Sequence, residues 1–149
     1  MFENEVTARQ AWLGVLARAS AAEIEDGLRG LPDLPGFARL RGPEAGMAMV
    51  RGRMGGGGDA FNLGEMTMAR CSIRDDGGRV GHGYAAGRDL RQVELIARLD
   101  AVLQDPGLRE VYEPLVRGLA TAQADRRAAT EAKAAATEVK FFTLATMRS

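Results

Sequence analysis

Glycine is concentrated in one part of this chain, and that constrains its fold more than any other feature. Of 19 glycines, 13 lie between Gly42 and Gly87, while the flanking stretches are rich in Ala, Leu, Glu and Arg. Each glycine costs a helix about 1 kcal/mol relative to alanine. The middle third is therefore expected to form strands and loops, and the outer parts helices. The fold class that follows is α+β: an antiparallel sheet from the central region plus a C-terminal strand, packed against N-terminal and C-terminal helices. With 149 residues the chain suits one domain, 1–149, helical over 5–30, strand- and loop-rich over 37–87, helical over 89–136, with a terminal strand at 138–144.

Periodicity fills in the elements. Ala8, Trp12, Val15, Leu16 and Ala19 recur at three- and four-residue steps, predicting an amphipathic helix from Glu5 to Ser20 with Trp12 on its buried stripe. Ser20-Ala-Ala-Glu23 reads as a capping box opening a short helix that Gly30 ends. Phe37 to Arg41 and Gly46 to Arg53 read as two strands, and Met54 to Ala60 as a glycine loop. Gly64 to Arg74 and Arg79 to Ala86 read as an antiparallel hairpin turning at Asp75-Asp76-Gly77-Gly78. Asp89 is placed to cap a helix running to Gln104. Pro106 begins another segment, and Pro114 suits the first turn of a later helix that runs into an alanine-rich tract ending near Ala136. Alanine forms helices well but offers little bulk, so this tract is expected to be exposed or held by a partner. Val139 to Leu144 reads as the final strand.

Composition excludes several classes. Twenty basic groups balance 20 acidic ones, which argues against a general nucleic-acid binder. Cys71 is alone, so no intrachain disulfide forms, and with His82 as the lone histidine a structural zinc site cannot be closed. No apolar run approaches a membrane span and no targeting segment is evident; a cytoplasmic protein without membrane attachment is the expectation.

Candidate chemistry centres on glycine and arginine. Arg51-Gly-Arg-Met54 precedes Gly55-Gly-Gly-Gly-Asp59, and glycine backbones can turn several N–H groups toward one anion. Gly55 and Gly56 with Arg51, Arg53 and Arg70 would suit a phosphate or phosphonate, or an acidic surface on another subunit. The plain alternatives are a flexible strand connection and solvated edge arginines. The stretch is not a P-loop, because no Lys-Ser or Lys-Thr follows. Asn62 could orient a ligand or satisfy turn backbone, and Arg88 precedes a helix start that favours anions. His82 is the first candidate for proton transfer, but no partner is evident from local spacing, and a core or interface hydrogen bond is the favoured alternative. Cys71 beside Arg70 is either an activated thiol or a buried strand cysteine. Met47, Met49, Met66 and Met68 are expected in the chain's own core, the alternative being adaptable apolar contact surface. No triad, carboxylate dyad or metal cluster emerges.

The ordered motifs RGRMGGGGDAFNLGEMTMARC (Arg51 to Cys71), GHGYAAGRD (Gly81 to Asp89), ELIARLDAVLQD (Glu94 to Asp105) and TEVKFFTL (Thr137 to Leu144) closely resemble the PhnG family, the small G subunit of bacterial carbon–phosphorus lyase systems. RQAWLGVLARA (Arg9 to Ala19) and LRGPEAGMAMVRGR (Leu40 to Arg53) fit it too, so the resemblance covers nearly the whole chain. It implies organophosphonate catabolism in a complex with the H, I and J subunits. With I chiefly, and with H and the ABC-like L protein, the family supports displacement of adenine from MgATP by an alkylphosphonate, giving a ribose 1-phosphonate 5-triphosphate. The glycosyl chemistry is attributed mainly to I, and the radical carbon–phosphorus cleavage to J. MgATP is then a substrate of the complex, with no cofactor assigned to this chain.

Three roles follow from the residues and the resemblance together. The leading one is a non-catalytic subunit that binds and shapes I through the arginine-bearing sheet face and the alanine-rich helix. The second has Arg51, Arg53, Arg70, Arg88 and His82 acting directly on substrate. The third is a homo-oligomer that hides the partner surface when the chain is isolated.

Overall fold

The computed structural model describes residues 2–53 and 60–147. Seven elements follow in order: α1 (Phe2–Ala17), α2 (Ala21–Leu28), β1 (Phe37–Arg53), β2 (Ala60–Asp75), β3 (Val80–Ala86), α3 (Leu90–Leu103) and α4 (Pro106–Met147). The three strands form one antiparallel sheet in the order β1-β2-β3. The α+β expectation holds, with the glycine-rich middle supplying the sheet.

Helix α3 lies against one face of the sheet, and α1, α2 and α4 pack around α3. Its Val93, Ile96, Leu99, Val102 and Leu103 are buried, as are Ala69, Cys71 and Ile73 of β2 and Trp12, Leu16, Ile24 and Tyr112 from the other helices. Close approach of β3 to α3 depends on two glycines. A Cβ at Gly81 would fall 1.8 Å from the Ala97 carbonyl oxygen, and one at Gly83 would fall 2.1 Å from that of Val93. Only a bare backbone fits there.

Local signals read from sequence are present. Ser20 accepts from the Glu23 N–H while the Glu23 carboxylate reaches back to the Ser20 N–H, completing the capping box. Asp89 accepts from the Gln92 N–H at the start of α3. Gly30 adopts a φ of 81° just past α2, a conformation that favours glycine.

Four expectations are corrected. Phe37 to Arg41 and Gly46 to Arg53 are one long strand, because β1 passes through the cis Gly42–Pro43 bond with register shifts on either side of Arg41 and stays on the ladder. Pro114 does not open a later helix; the helix has already begun at Pro106, and Pro114 sits inside it. The terminal strand at 138–144 is absent: Val139 to Leu144 continue α4 as helix. Once a helix is nucleated each further residue adds one backbone hydrogen bond, so β-favouring residues at its end are carried along when no strand edge is alongside. The methionines do not fill the core. Met47, Met49 and Met66 are 60%, 56% and 41% exposed, and Met68 is half-buried.

Helix α4 has two parts. As far as Gln123, whose amide donates to the Val15 carbonyl at 2.9 Å, it packs on the body of the protein. From residue 124 to residue 138 every side chain is exposed, as the alanine-rich composition predicts.

Candidate interaction face

Strand alternation gives the sheet an inner face toward α3 and an outer face on which no described element packs. Arg70, Ser72 and Arg74 of β2 and His82 and Tyr84 of β3 point outward, interleaved with inward Ala69, Cys71, Ile73, Gly81, Gly83 and Ala85. The Gly-His-Gly sequence therefore performs two tasks at once. Its glycines admit the helix backbone behind, and its histidine is presented in front.

His82 has a partner that local spacing did not reveal. Its Nδ1 lies 2.8 Å from the Ser72 hydroxyl oxygen, directly across the ladder. The hairpin register decides this. Asp75 and Arg79 close the turn through the Asp75 N–H to the Arg79 carbonyl, leaving a three-residue loop with Gly78 at a φ of 80°. A four-residue loop would have set Cys71 opposite His82, since one step of register exchanges the faces. The Asp75 carboxylate selects the shorter loop by accepting from the N–H groups of Gly77 and Arg79.

Behind the face stands Asp100, fully buried on α3. It accepts from the Arg9 guanidinium at 3.1 and 2.7 Å, from the Trp12 indole N–H at 2.9 Å and from the His82 backbone N–H at 2.9 Å. One carboxylate thus ties α1, α3 and the otherwise open edge of β3 together. The hydrogen bond to Asp100 raises the Arg9 pKa above its ordinary value, outweighing partial desolvation. Because Asp100 reaches the main chain of His82 and not its ring, Ser72, His82 and Asp100 do not form a catalytic relay.

The arginines are distributed differently from the sequence-based grouping. Arg70 stands opposite Glu44, while Arg51 stands opposite Asn62, eight residues further along β2, or roughly 25 Å. Arg51 and Arg70 therefore do not converge. Arg70 and Arg41 instead both donate to Glu44 Oε1, at 2.7 and 3.1 Å, and hold that carboxyl below its usual pKa. Arg88 is exposed in the turn before α3. The side chains of Arg53 and Asn62, and residues Gly55 and Gly56, fall outside what the structure describes. Cys71 is buried against α3, and desolvation, with a smaller contribution from Glu94, pushes its thiol up to about 11, which makes it a poor nucleophile. Among the described residues no group of three or more His, Cys, Asp or Glu could hold a metal ion.

Past Met68 the sheet changes character. β3 pairs only with Met68 to Arg74, so beyond that point β1 and β2 continue as a two-stranded ribbon. Met47, Met49, Leu63 and Met66 stand exposed on it, and a depression of about 340 Å³ at its root is bordered by Glu44, Met47, Met68, Arg70 and Tyr84. A two-stranded ribbon is marginal alone in water, and clustered exposed apolar side chains mark contact surfaces.

The profile of a family described as "Phosphonate metabolism protein PhnG" matches residues 7–147 of this chain. The chain belongs to the PhnG family. It is also 43% identical, over 141 residues, to a Rhizobium meliloti (strain 1021) protein named "Alpha-D-ribose 1-methylphosphonate 5-triphosphate synthase subunit PhnG", covering 93% of this chain and 89% of that one. The matched residues run from Thr7, inside α1, through the whole described sheet to Met147 at the end of α4, so the match spans nearly every element of the fold. Among the described residues, no helix is long and apolar enough to cross a membrane.

Proposed function

We propose that this protein is a non-catalytic subunit of an alkylphosphonate-dependent synthase, docking through its open sheet face and methionine-bearing ribbon onto the I subunit. In that assembly, with H and the ABC-like L protein, adenine of MgATP is displaced by an alkylphosphonate to give ribose 1-alkylphosphonate 5-triphosphate, and the J subunit acts on the later product. The observation that supports this reading is the exposed apolar ribbon, Met47, Met49, Leu63 and Met66, on a protein that buries a separate core of its own. Obligate interfaces look like a core cut in half, and flexible methionine suits such a surface. The test is co-expression with the I-type partner, reading co-purification and ATP-dependent adenine release. Adenine release that requires both chains supports the role; full release by the partner alone overturns it.

A second reading rests on the Ser72–His82 pair, whose ring nitrogen and hydroxyl lie on the same open face beside Arg70 and Tyr84. There His82 would act as acid, base or hydrogen-bond donor in a site completed by the partner. His82→Ala separates the two. A loss of about a hundredfold in adenine release (roughly 2.7 kcal/mol of barrier) with assembly intact favours direct participation, and unchanged turnover favours the docking role.

A further inference from the structure

The outer edge of β1 is unpaired along its whole length among the described residues, and its two halves treat that exposure differently. Sheet edges template pairing with other chains unless charge, proline or bulges blunt them. The half nearest the core has all three: Arg39, Arg41 and Pro43, with register shifts on both sides of Arg41. From Glu44 to Val50 the ladder with β2 runs without a break, and Ala45-Gly-Met-Ala-Met-Val50 contains no charge and no proline. This stretch is a regular, unguarded edge with exposed Met47 and Met49.

We propose that two copies of this chain pair antiparallel along this edge, about a two-fold axis through Ala48, making a continuous six-stranded sheet. The sequence is close to symmetric about that point. Antiparallel pairing sets Ala48 opposite Ala48, Met47 opposite Met49 of the second copy, and Gly46 opposite Val50. One step outward Ala45 meets Arg51, and the next sets Glu44 against Gly52, so no like charges face each other. An interface in which the same patch meets itself is the commonest way for a chain to dimerise. Directly opposed side chains sit about 5 Å apart, close enough for each methionine to cover the other. Nothing in this depends on the synthase role, and the chain alone suffices for the test.

Light scattering of the purified chain at about 100 μM is expected to give twice the 15.9 kDa chain mass; a monomer overturns the proposal. Two double variants then test the register, both at exposed positions. Met47→Lys with Met49→Lys brings lysines face to face and is expected to weaken self-association by about tenfold or more. Met47→Glu with Met49→Lys sets each glutamate opposite a lysine of the second copy, leaves no like charge opposite Glu65 within the chain, and is expected to stay within about threefold of the parent. A dimer that survives the lysine pair, or one lost equally in both variants, overturns the proposal. The two variants share Met49→Lys, opposite Glu65, and differ only at position 47, opposite Thr67, so folding is controlled, with circular dichroism as the check.

Discussion

The two ends of the β1–β2 pair have similar strand chemistry and opposite fates. Near the turn, inward Ala69, Cys71 and Ile73 are buried beneath α3, and β3 completes the sheet. Past Met68 the inward face continues through Met47 and Met49 of β1, opposite Thr67 and Glu65, yet these methionines stand in solvent. Hydrophobic alternation therefore says that a strand has a face to bury, without saying whether the same chain buries it. Here the buried end holds the fold together, and the exposed end is left uncovered by the described residues.

That contrast can be broken or sharpened by substitution. The largest effect belongs to Asp100→Ala, which strands the Trp12 and His82 N–H groups and the Arg9 guanidinium. Removing one member of a buried ion pair costs about 3–5 kcal/mol; with the Arg9 side chain 35% exposed the lower end is expected, to be read as a lower urea midpoint. A loss under about 1 kcal/mol would mean that Asp100 does not staple the buried end. Next comes Gly83→Ala, whose Cβ would meet the Val93 carbonyl oxygen at 2.1 Å and push β3 from α3. About 1–3 kcal/mol of destabilisation is expected from such overpacking, with thermal unfolding as the check. The smallest effect is at the ribbon: Met49→Ser, at a 56% exposed position, should change the stability of the chain measured as a monomer by less than about 0.5 kcal/mol. A loss as large as that at Gly83 would show that the ribbon is part of the core after all.

The legibility of the chain follows the range of each interaction. Ser20 and Glu23, Asp89 and Gln92, and the glycines that keep the middle third out of helix act within a few residues, and each was readable from sequence. Sequence expectation and structure part where distant segments decide. Val139 to Leu144 favour a strand locally, yet they lie at the end of an established helix. Arg51 and Arg70 share a sheet but are separated along it by the length of the ribbon. Ser72 became visible as the partner of His82 only when one extra residue on the ladder, held by the Asp75 carboxylate, fixed the register.

Composition and spacing by themselves determined that a glycine-rich sheet would lie between helical flanks, and the ordered motifs identified the PhnG family, because backbone preference and family pattern are written residue by residue. Only the tertiary structure decided that Gly81 and Gly83 seat α3 while His82 faces out, that Asp100 joins three elements, and that the methionines remain uncovered. Burial is a property of what packs against a surface, and no single strand contains that information.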